Sequence, residues 1–460
     1  MTDFEHYRVL ATLADLGATE LQLVSAKSAK AKRFLLRRLK PEQVTPEKSA
    51  RLRDEYKLIS QYRLQCMLSP IRLIGTDLNT AILYQTVEGS TGDQLDNRDL
   101  NQLLILAERL VDAVGEIHAA GLLHRNLHPA QILLAGDHVY LTDFSQAISQ
   151  TGAEHPDFVS TRSLVQNLRY IAPEQTGRMN RPVDYRSDYY ALGTILYQWF
   201  AGQSPFLVNE PLDLVYAHLA TKPLRPEQAR PALPAFLGDI LLKLLAKDPD
   251  RRYQSIAGLK ADLHIAGEGV LGRNLTSHQV GAFDIPEQIT VSHTLYGRES
   301  ERRMLLDLYE QACTGSQEML LVFGYSGIGK TSLIRETYLP VTRQQAFFVA
   351  GKFDLLQRTV PFSGWLDIMR KLLAFVLAEP DEPLRQWQHT LSKALGANGG
   401  VLIPVIPQLQ TLLGPQPIPP ELPATEALNR FNHTFCRFIL AFCLPQRPLA
   451  VFLDDLQWIE

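Results

Sequence analysis

The sequence predicts a multidomain chain, in which an α+β unit with a small β-rich lobe and a large helical lobe precedes an α/β unit with a parallel sheet. The chain has 460 residues, which is too long for a single hydrophobic core. Short apolar runs typical of strands fill residues 7–86, and helical spacing dominates after Asp99. Residues 265–290 carry scattered glycines and no sustained period, so we place a linker there between units 1–264 and 291–460.

The composition is that of a soluble globular protein, with 45% hydrophobic and 21% charged residues and a net charge of −3. This near-neutral balance gives no electrostatic reason to expect a nucleic-acid partner. The acidic N-terminus lacks the apolar run of a signal peptide, and no apolar stretch is long enough to span a membrane. We therefore expect a cytoplasmic protein whose four cysteines are buried as small hydrophobic residues in a reducing compartment: Cys66, Cys313, Cys436 and Cys443.

The first unit begins with the patterns of several strands around one helix. Alternating apolar runs predict a hairpin and three more strands, at residues 7–23, 34–40, 71–74 and 81–86. Residues 45–61 have the spacing of a helix that carries Glu55 beside its apolar face. A longer helix follows, because apolar residues recur there at spacings of three and four: Leu103, Leu106, Leu110, Val114 and Ile117.

The second unit contains a phosphate-binding loop, since residues 324–331 match the pattern G-x-x-x-x-G-K-[ST]. The apolar residues 319–323 before it predict a buried strand, and a helix is expected after it. The helix N-terminus and inward-pointing backbone N–H groups favour a phosphate chain. We expect Lys330 to reach the terminal phosphates of ATP and the Thr331 hydroxyl to take one Mg²⁺ position. The other loop residues expected to bind the nucleotide are Gly324, Ser326, Gly327, Gly329 and Ser332.

An acidic strand end supplies the second half of this site. The apolar residues 449–453 predict a strand that ends in Asp454 and Asp455. This half resembles AAA-like and signalling ATPases, which implies that Asp454 steadies Mg²⁺ through water and that Asp455 polarises the attacking water. In such ATPases a Gly-Arg-Glu element packs near the adenine, so Arg298 is either a further nucleotide contact or simply the start of a helix.

The same resemblance covers the phrase Gly-Lys-Phe-Asp at residues 351–354, which follows a predicted strand at 346–350. In these ATPases the strand between the P-loop strand and the acidic strand comes later in the chain. We therefore expect the sheet to be unfinished at Glu460, the chain to be the N-terminal part of a longer protein, and this part alone to hydrolyse ATP poorly.

Five motifs of the first unit occur in the order found in protein kinases, which this unit resembles. They are a catalytic loop at residues 121–134, a metal-binding element at 143–145, an activation-segment end at 172–174, the helix-opening Asp188 and a closing arginine motif at 247–253. The resemblance implies that an arginine of the last motif pairs with Glu174. We interpret Glu55, Glu174, Asp188 and Arg252 as residues that stabilise the fold.

Several positions depart from the kinase pattern. Asn126 stands where kinases place the base aspartate, and an amide cannot accept the proton of the substrate hydroxyl. Arg37 stands at the position of the strand-three lysine, where Glu55 is placed to pair with it. Gln131 replaces the metal-binding asparagine, whereas Asp143 keeps the acid that holds a metal in kinases. We therefore predict a pseudokinase, with Arg37 as a degenerate nucleotide-binding position.

Residues 170–181 look like the kinase-like module of large bacterial multidomain signalling proteins, in which a P-loop ATPase and output domains follow. We expect an ATP-binding signalling protein whose kinase-like domain regulates an ATPase switch that drives output domains beyond Glu460. Two alternatives stay open: an active serine/threonine kinase fused to an ATPase, and a nucleotide-stabilised scaffold for partner proteins. The expected ligands are ATP and Mg²⁺, and the expected partners are proteins or output domains of the same chain.

Overall fold

The computed structural model describes most of the chain. The described residues are 6–27, 32–76, 79–95, 99–136, 138–149, 168–176, 183–208, 210–270, 278–286, 297–325, 328–336, 347–353, 362–377, 381–417, 419–443 and 448–458.

A five-stranded antiparallel sheet forms the first lobe. Its strands are β1 (Tyr7–Leu16), β2 (Thr19–Ala26), β3 (Arg33–Leu39), β4 (Pro70–Gly75) and β5 (Thr80–Gln85), in the order β1-β2-β3-β5-β4. Helix α1 (Pro46–Ile59) packs on β4 and β5, and the Thr45 hydroxyl caps it by accepting a hydrogen bond from the Lys48 N–H at 3.2 Å. These elements confirm the predicted hairpin, strands and helix.

The second lobe is mainly helical. Its helices are α2 (Leu100–Ala119), α3 (Arg186–Ala201), α4 (Pro211–Ala220), α5 (Pro226–Ala229), α6 (Ala235–Leu244) and α7 (Ile256–Val270). Short strands lie between the lobes: β6 (Ser90–Thr91), β7 (Leu122–Leu123), β8 (Ile132–Ala135), β9 (His138–Leu141) and β10 (Ile148–Ser149). Helix α3 lies at the centre, and a Cβ at Gly193 would meet the Leu244 Cβ at 2.6 Å, so this glycine permits the close approach of α3 and α6.

Part of the predicted linker is attached to the first unit. Helix α7 continues past the predicted boundary at His264, and residues 278–286 return to its N-terminal end. The Asp284 carboxylate accepts hydrogen bonds from the Gln254 and Ser255 N–H groups, each at 3.0 Å. Lys243 Nζ lies 3.2 Å from the same carboxylate, so this segment packs as an extension of the helical lobe.

The second unit combines a small parallel sheet with helices. Its elements are α8 (Glu299–Cys313), α9 (Lys330–Glu336), β11 (Phe347–Lys352), α10 (Ser363–Leu377), α11 (Asp381–Leu395), α12 (Leu409–Leu413), α13 (Ala424–Leu440) and β12 (Leu449–Asp454). Strands β11 and β12 pair in parallel, from Phe347 opposite Leu449 to Lys352 opposite Asp454. The predicted strands at 346–350 and 449–453 are thereby confirmed. None of the described helices is long and apolar enough to cross a membrane.

The predicted buried strand at residues 319–323 is wrong. These residues belong to neither a helix nor a strand, and the side chains of Met319 and Phe323 are 82% and 91% exposed. A strand needs a neighbour that satisfies its N–H and C=O groups, and among the described residues only β11 and β12 form the parallel sheet.

The cysteines also differ from expectation. Cys66 is buried, but Cys313 is half-buried and both Cys436 and Cys443 are exposed. Helix α13 turns Phe438 towards the core, and a residue two positions earlier lies on the opposite side of the helix. Cys436 therefore faces outward, although Phe435 precedes it and Phe438 lies two residues later.

Candidate functional site

Helix α9 begins at Lys330, immediately after the glycine-rich turn. Gly329 has a φ of 93°, which favours glycine because L side chains clash there. The Lys330 ammonium Nζ donates hydrogen bonds to the carbonyl oxygens of Gly324 at 2.9 Å and Tyr325 at 3.0 Å. The lysine thus lies across the loop that the sequence assigns to phosphate. Of the other predicted loop residues, Ser326, Gly327 and the side chain of Ser332 lie outside the described part of the structure.

The two residues predicted to hold Mg²⁺ in this unit lie together. The Thr331 hydroxyl donates a hydrogen bond to Asp454 Oδ2 at 3.2 Å and so joins the start of α9 to the end of β12. The other oxygen, Asp454 Oδ1, accepts the Asp455 N–H at 3.0 Å. A hydroxyl and a carboxylate are the hard oxygen ligands that Mg²⁺ prefers, so the residues present fit this ion.

Asp455 lies just beyond β12 in an unusual backbone conformation, with a φ of 55°. Its Oδ2 is 3.2 Å from the ammonium Nζ of Lys352, which ends the neighbouring strand β11. In the sequence, Lys352 belongs to the Gly-Lys-Phe-Asp match at residues 351–354 and has no predicted role of its own. The sequence pattern that could have indicated a role is a lysine just after the predicted strand at 346–350. In a parallel sheet this strand ends at the same edge as the strand that precedes Asp454 and Asp455.

Arg298 lies immediately before α8. Its Nη1 donates a hydrogen bond to Glu301 Oε1 at 2.7 Å, an i,i+3 ion pair at the start of the helix. The predicted contact between Arg298 and the adenine stays a prediction.

In the first unit, Arg37 is the central residue of a buried ionic cluster. It is 2% exposed on β3, and its guanidinium contacts Glu55 of α1 through Nη1. Nη2 donates to Asp143 Oδ1 at 2.5 Å, and Nε donates to the Thr19 hydroxyl at 3.1 Å. The predicted pair of Arg37 and Glu55 is therefore confirmed, and a second ion pair with Asp143 is added.

Both carboxylate oxygens of Asp143 accept hydrogen bonds from neighbouring side chains. Oδ1 accepts from Arg37 and from the Ser145 hydroxyl at 2.5 Å, and Oδ2 accepts from Gln131 Nε2 at 2.9 Å. Asp143 is 4% exposed. A cation at these oxygens would meet the fixed charge of Arg37, so the residues in this arrangement do not fit a Mg²⁺ ion.

The Arg37 guanidinium contacts two buried carboxylates, whose pKa values are shifted in opposite directions. Burial raises the pKa of Glu55 to about 7, and Arg37 only partly offsets this effect. Burial also acts to raise the pKa of Asp143, but Arg37 and the Ser145 hydroxyl outweigh it, and the pKa lies below its ordinary value. We therefore regard Asp143 as the charged partner of Arg37 at neutral pH.

The catalytic-loop backbone keeps a definite shape. Asp188 at the start of α3 accepts the His124 N–H at 2.9 Å and the Arg125 N–H at 2.7 Å, and it contacts His118 Nε2 at 2.8 Å. Arg125 has a φ of 63°, which these bonds to a buried carboxylate hold in place. Asn126 follows with 9% exposure, so the position of the kinase base is structured although its side chain is an amide.

The predicted pairing of Glu174 with an arginine is also confirmed, and the partner is Arg252. Its Nη1 and Nη2 donate to the two Glu174 oxygens at 2.6 Å and 2.8 Å, and both side chains are buried. Arg252 also donates to backbone carbonyls of Ala246, Lys247 and Arg186. This bidentate pair fixes the end of the activation segment to the helical lobe.

A cleft of about 230 Å³ lies between the two lobes, beside the catalytic loop. Its lining residues are Asp15, Leu16, Gly17, Asp93, His128, Pro129, Ala130 and Tyr170. Burial lowers the pKa of His128 to about 4, so its imidazole is neutral at pH 7. His128 therefore adds no positive charge to this cleft for a phosphate group.

These features define a two-part protein of the kinase and P-loop ATPase classes. A protein kinase domain model matches residues 20–262, and an AAA ATPase domain model matches residues 294–460. The first match covers more than half of the chain, which belongs to the protein kinase domain family. Domains of both kinds generally use ATP with Mg²⁺.

The chain is similar to several much longer proteins. It is 31% identical over 333 residues to hybrid signal transduction histidine kinase G of Dictyostelium discoideum, over 68% of this chain and 10% of that protein. It is 23% identical over 406 residues to histidine protein kinase 1 of Candida albicans, over 78% and 16% of the two chains. Serine/threonine-protein kinase PknB of Mycobacterium tuberculosis is 35% identical over 149 residues, or 32% and 23%. The chain thus spans less than a quarter of each relative.

Proposed function

We propose that this chain is an ATP-binding signalling module in which a kinase-like unit without phosphotransfer activity regulates a P-loop ATPase unit. The observation that carries the proposal is the contact of Arg37 with Asp143, which places a fixed cation on the carboxylate that binds the metal in kinases. The contact of Thr331 with Asp454, by contrast, keeps the hard oxygen ligands of the second unit together. Two relatives are named histidine kinases, which supports a role in signalling.

In the kinase-like unit, two separate defects would prevent phosphotransfer. Asn126 supplies no base, and loss of a general base costs about 10²–10⁴ in rate. Asp143 is engaged by Arg37 and Gln131, so a nucleotide metal would have to displace a buried ion pair. The kinase-like unit nevertheless keeps an ordered catalytic loop and the buried pair of Glu174 with Arg252. These contacts preserve a rigid surface, which suits a docking or regulatory role.

In the ATPase unit, four of the predicted side chains bind phosphate, bind the metal or orient the attacking water. The Lys330 ammonium neutralises phosphate charge, and Thr331 and Asp454 hold the metal position. Asp455 orients the attacking water and accepts its proton. Bound Mg²⁺·ATP would supply the phosphoanhydride and the cation that neutralises its charge.

The kinase-like unit is tested by a phosphorylation assay on the intact protein and on its Asp143→Ala and Asn126→Ala variants. We expect the same background incorporation of phosphate in all three proteins. Incorporation in the wild type that both substitutions abolish would overturn the proposal and favour the active-kinase alternative.

The ATPase unit is tested by measuring Mg²⁺·ATP binding and turnover of the intact protein and of Lys330→Ala. We expect Lys330→Ala to weaken binding by about tenfold or more, because a charge-assisted contact to phosphate is lost. Lys393→Ala, which removes an exposed lysine on α11, serves as the matched control. Equal affinity of Lys330→Ala and wild type would contradict the proposal, and tight binding without turnover in the full-length protein would favour the scaffold alternative.

A further inference from the structure

A proline-rich segment precedes helix α13 in the second unit. Half of the residues in 414–423 are prolines, and the structure describes 414–417 and 419–423. Such a run favours the polyproline II helix, which has about three residues per turn and no internal hydrogen bonds. Pro423 has a φ of −53° and a ψ of 150°, close to the polyproline II values of about −75° and 145°. Residues 419–423 form no backbone hydrogen bonds with one another, so this part of the segment is extended.

One edge of the segment packs against two glycines. A Cβ at Gly399 would lie 2.8 Å from Oε1 of Gln416. A Cβ at Gly400 would lie 2.5 Å from the Pro417 carbonyl oxygen and 3.3 Å from Cδ of Pro419, so only glycine permits this close approach. Gln416 and Pro419 are both half-buried, and they are one polyproline II turn apart. They therefore form the inner edge of the segment.

The prolines of a second edge face solvent. Pro417, Pro420 and Pro423 are exposed and recur at every third residue, and we call them the proline stripe. The Pro420 carbonyl oxygen accepts a hydrogen bond from Nη1 of Arg430 on α13 at 2.9 Å. This bond and the glycine contacts hold the segment in place, so the conformation of the stripe is set before any partner binds.

Exposed prolines at this spacing suit a particular kind of partner. Grooves lined by aromatic side chains bind proline-rich segments in the polyproline II conformation, as in SH3 and WW domains. Pro419 and Pro420 have no N–H group to donate, which argues against a partner that adds a β-strand here. Because the segment is already extended and anchored, little conformational entropy is lost on binding.

We propose that the proline stripe is a docking site for a partner domain with an aromatic-lined groove. Pro420 and Pro423 enter the groove as one P-x-x-P pair, and Pro417 extends the contact by one turn. The stripe includes none of the residues assigned to the nucleotide. It therefore gives the ATPase unit a role in protein assembly that is separate from its phosphate chemistry.

The test measures binding of a purified WW domain and a purified SH3 domain to the intact protein by isothermal titration calorimetry. The variants are Pro420→Ala and the matched control Pro415→Ala, since Pro415 is an exposed proline of the same segment outside the three-residue register. We expect at least one of the two domains to bind. Pro420→Ala should weaken this binding by about tenfold, because one ring is lost from the groove, and Pro415→Ala should bind like the wild type.

A second measurement leaves this chain unchanged. The domain that binds is prepared with its groove tryptophan replaced by alanine, and this variant should no longer bind, because the aromatic surface that contacts the proline rings is removed. Three results would each overturn the inference. They are binding of neither domain at about 1 mM, equal affinities of Pro420→Ala and Pro415→Ala, and full binding by the domain without its groove tryptophan.

Discussion

Arginine and lysine make different contacts from the same strand position, because a guanidinium has three nitrogens in a rigid plane and an ammonium has one. Arg37 uses all three, for Thr19, Glu55 and Asp143. A lysine ammonium carries its three donors on one atom, so it does not reproduce contacts that are spread over three nitrogens. The identity of this residue therefore decides whether the cleft holds an internal ion-pair network.

We expect Arg37→Ala to destabilise the protein by about 3–5 kcal/mol, because it leaves two buried carboxylates without a counter-charge. Urea unfolding of the first unit measures this loss. The matched control is Arg33→Ala on the same strand, whose pair with Glu88 is 56% and 80% exposed. This control should change stability by less than about 1 kcal/mol. Similar losses in the two variants would contradict the proposed role of the cluster.

Glu55 gives the cluster a dependence on pH. Its pKa rises from 4.5 to about 7 on folding, so the protonated form stabilises the fold. This contribution is complete below pH 4.5 and is lost as the pH rises through 7.

The expected result is that the stability of the wild type relative to Glu55→Gln falls between about pH 5 and pH 8. The buried histidines, whose pKa values are lowered, titrate in both proteins and cancel in the difference. Urea unfolding at several pH values checks this expectation, and a difference that is flat or rises with pH would refute it.

The sequence identified most site residues but not all of their contacts. The pairs of Glu55 with Arg37 and of Glu174 with an arginine followed from the resemblance, and the structure confirms them. The contact of Arg37 with Asp143 did not follow, because it depends on how closely the lobes approach. Residue spacing carries no information about such a distance.

At the scale of secondary-structure elements, the periodicity of apolar residues predicted the strands and the helix of the first lobe correctly. Strands β1 to β5 and helix α1 lie close to their predicted positions. Residues 319–323 have the apolar run of a strand but not the structure, because a strand also depends on its neighbour. The attachment of residues 278–286 was missed for a related reason, since it depends on contacts with other elements, among them those of Asp284 and of the Gly281 N–H.

We expect Asp284→Ala to destabilise the first unit by about 2 kcal/mol, because it leaves backbone N–H groups of Gln254 and Ser255 without their partner. Hydrogen exchange at these two amides should become faster. Glu268→Ala on α7, outside this contact, serves as a control. Unchanged exchange at both amides in Asp284→Ala would show that the segment is held by other contacts.

At the scale of the whole molecule, the two units meet through an aromatic side chain. Phe348 of β11 packs against a hydrophobic cluster of the kinase-like unit. The buried members of this activation-end cluster are Leu168, Ile171, Phe206, Leu214, Val215, Ala217 and Leu219. Side chains alternate along a strand, so Phe348 and Lys352 share one face of β11. The same strand therefore contacts both the kinase-like unit and the candidate nucleotide site.

We expect Phe348→Ala to accelerate hydrogen exchange in α4, because it removes an apolar partner from the activation-end cluster. Phe347→Ala is the matched control, since Phe347 faces the opposite side and contacts Phe375 and Trp387 of its own unit. That variant should accelerate exchange in α10 and leave α4 unchanged. The same exchange pattern in both variants would argue against a contact between the units through Phe348.

The network around Asp143 limits the effect that a single substitution in the cleft can have. Asn126→Asp alone would introduce an acid but leave Arg37 and Gln131 on Asp143. Arg37→Lys alone would keep a cation beside Glu55 and Asp143 but lose the planar guanidinium that contacts both. Phosphotransfer chemistry could therefore be introduced into this cleft only by several substitutions together, each compatible with the buried network.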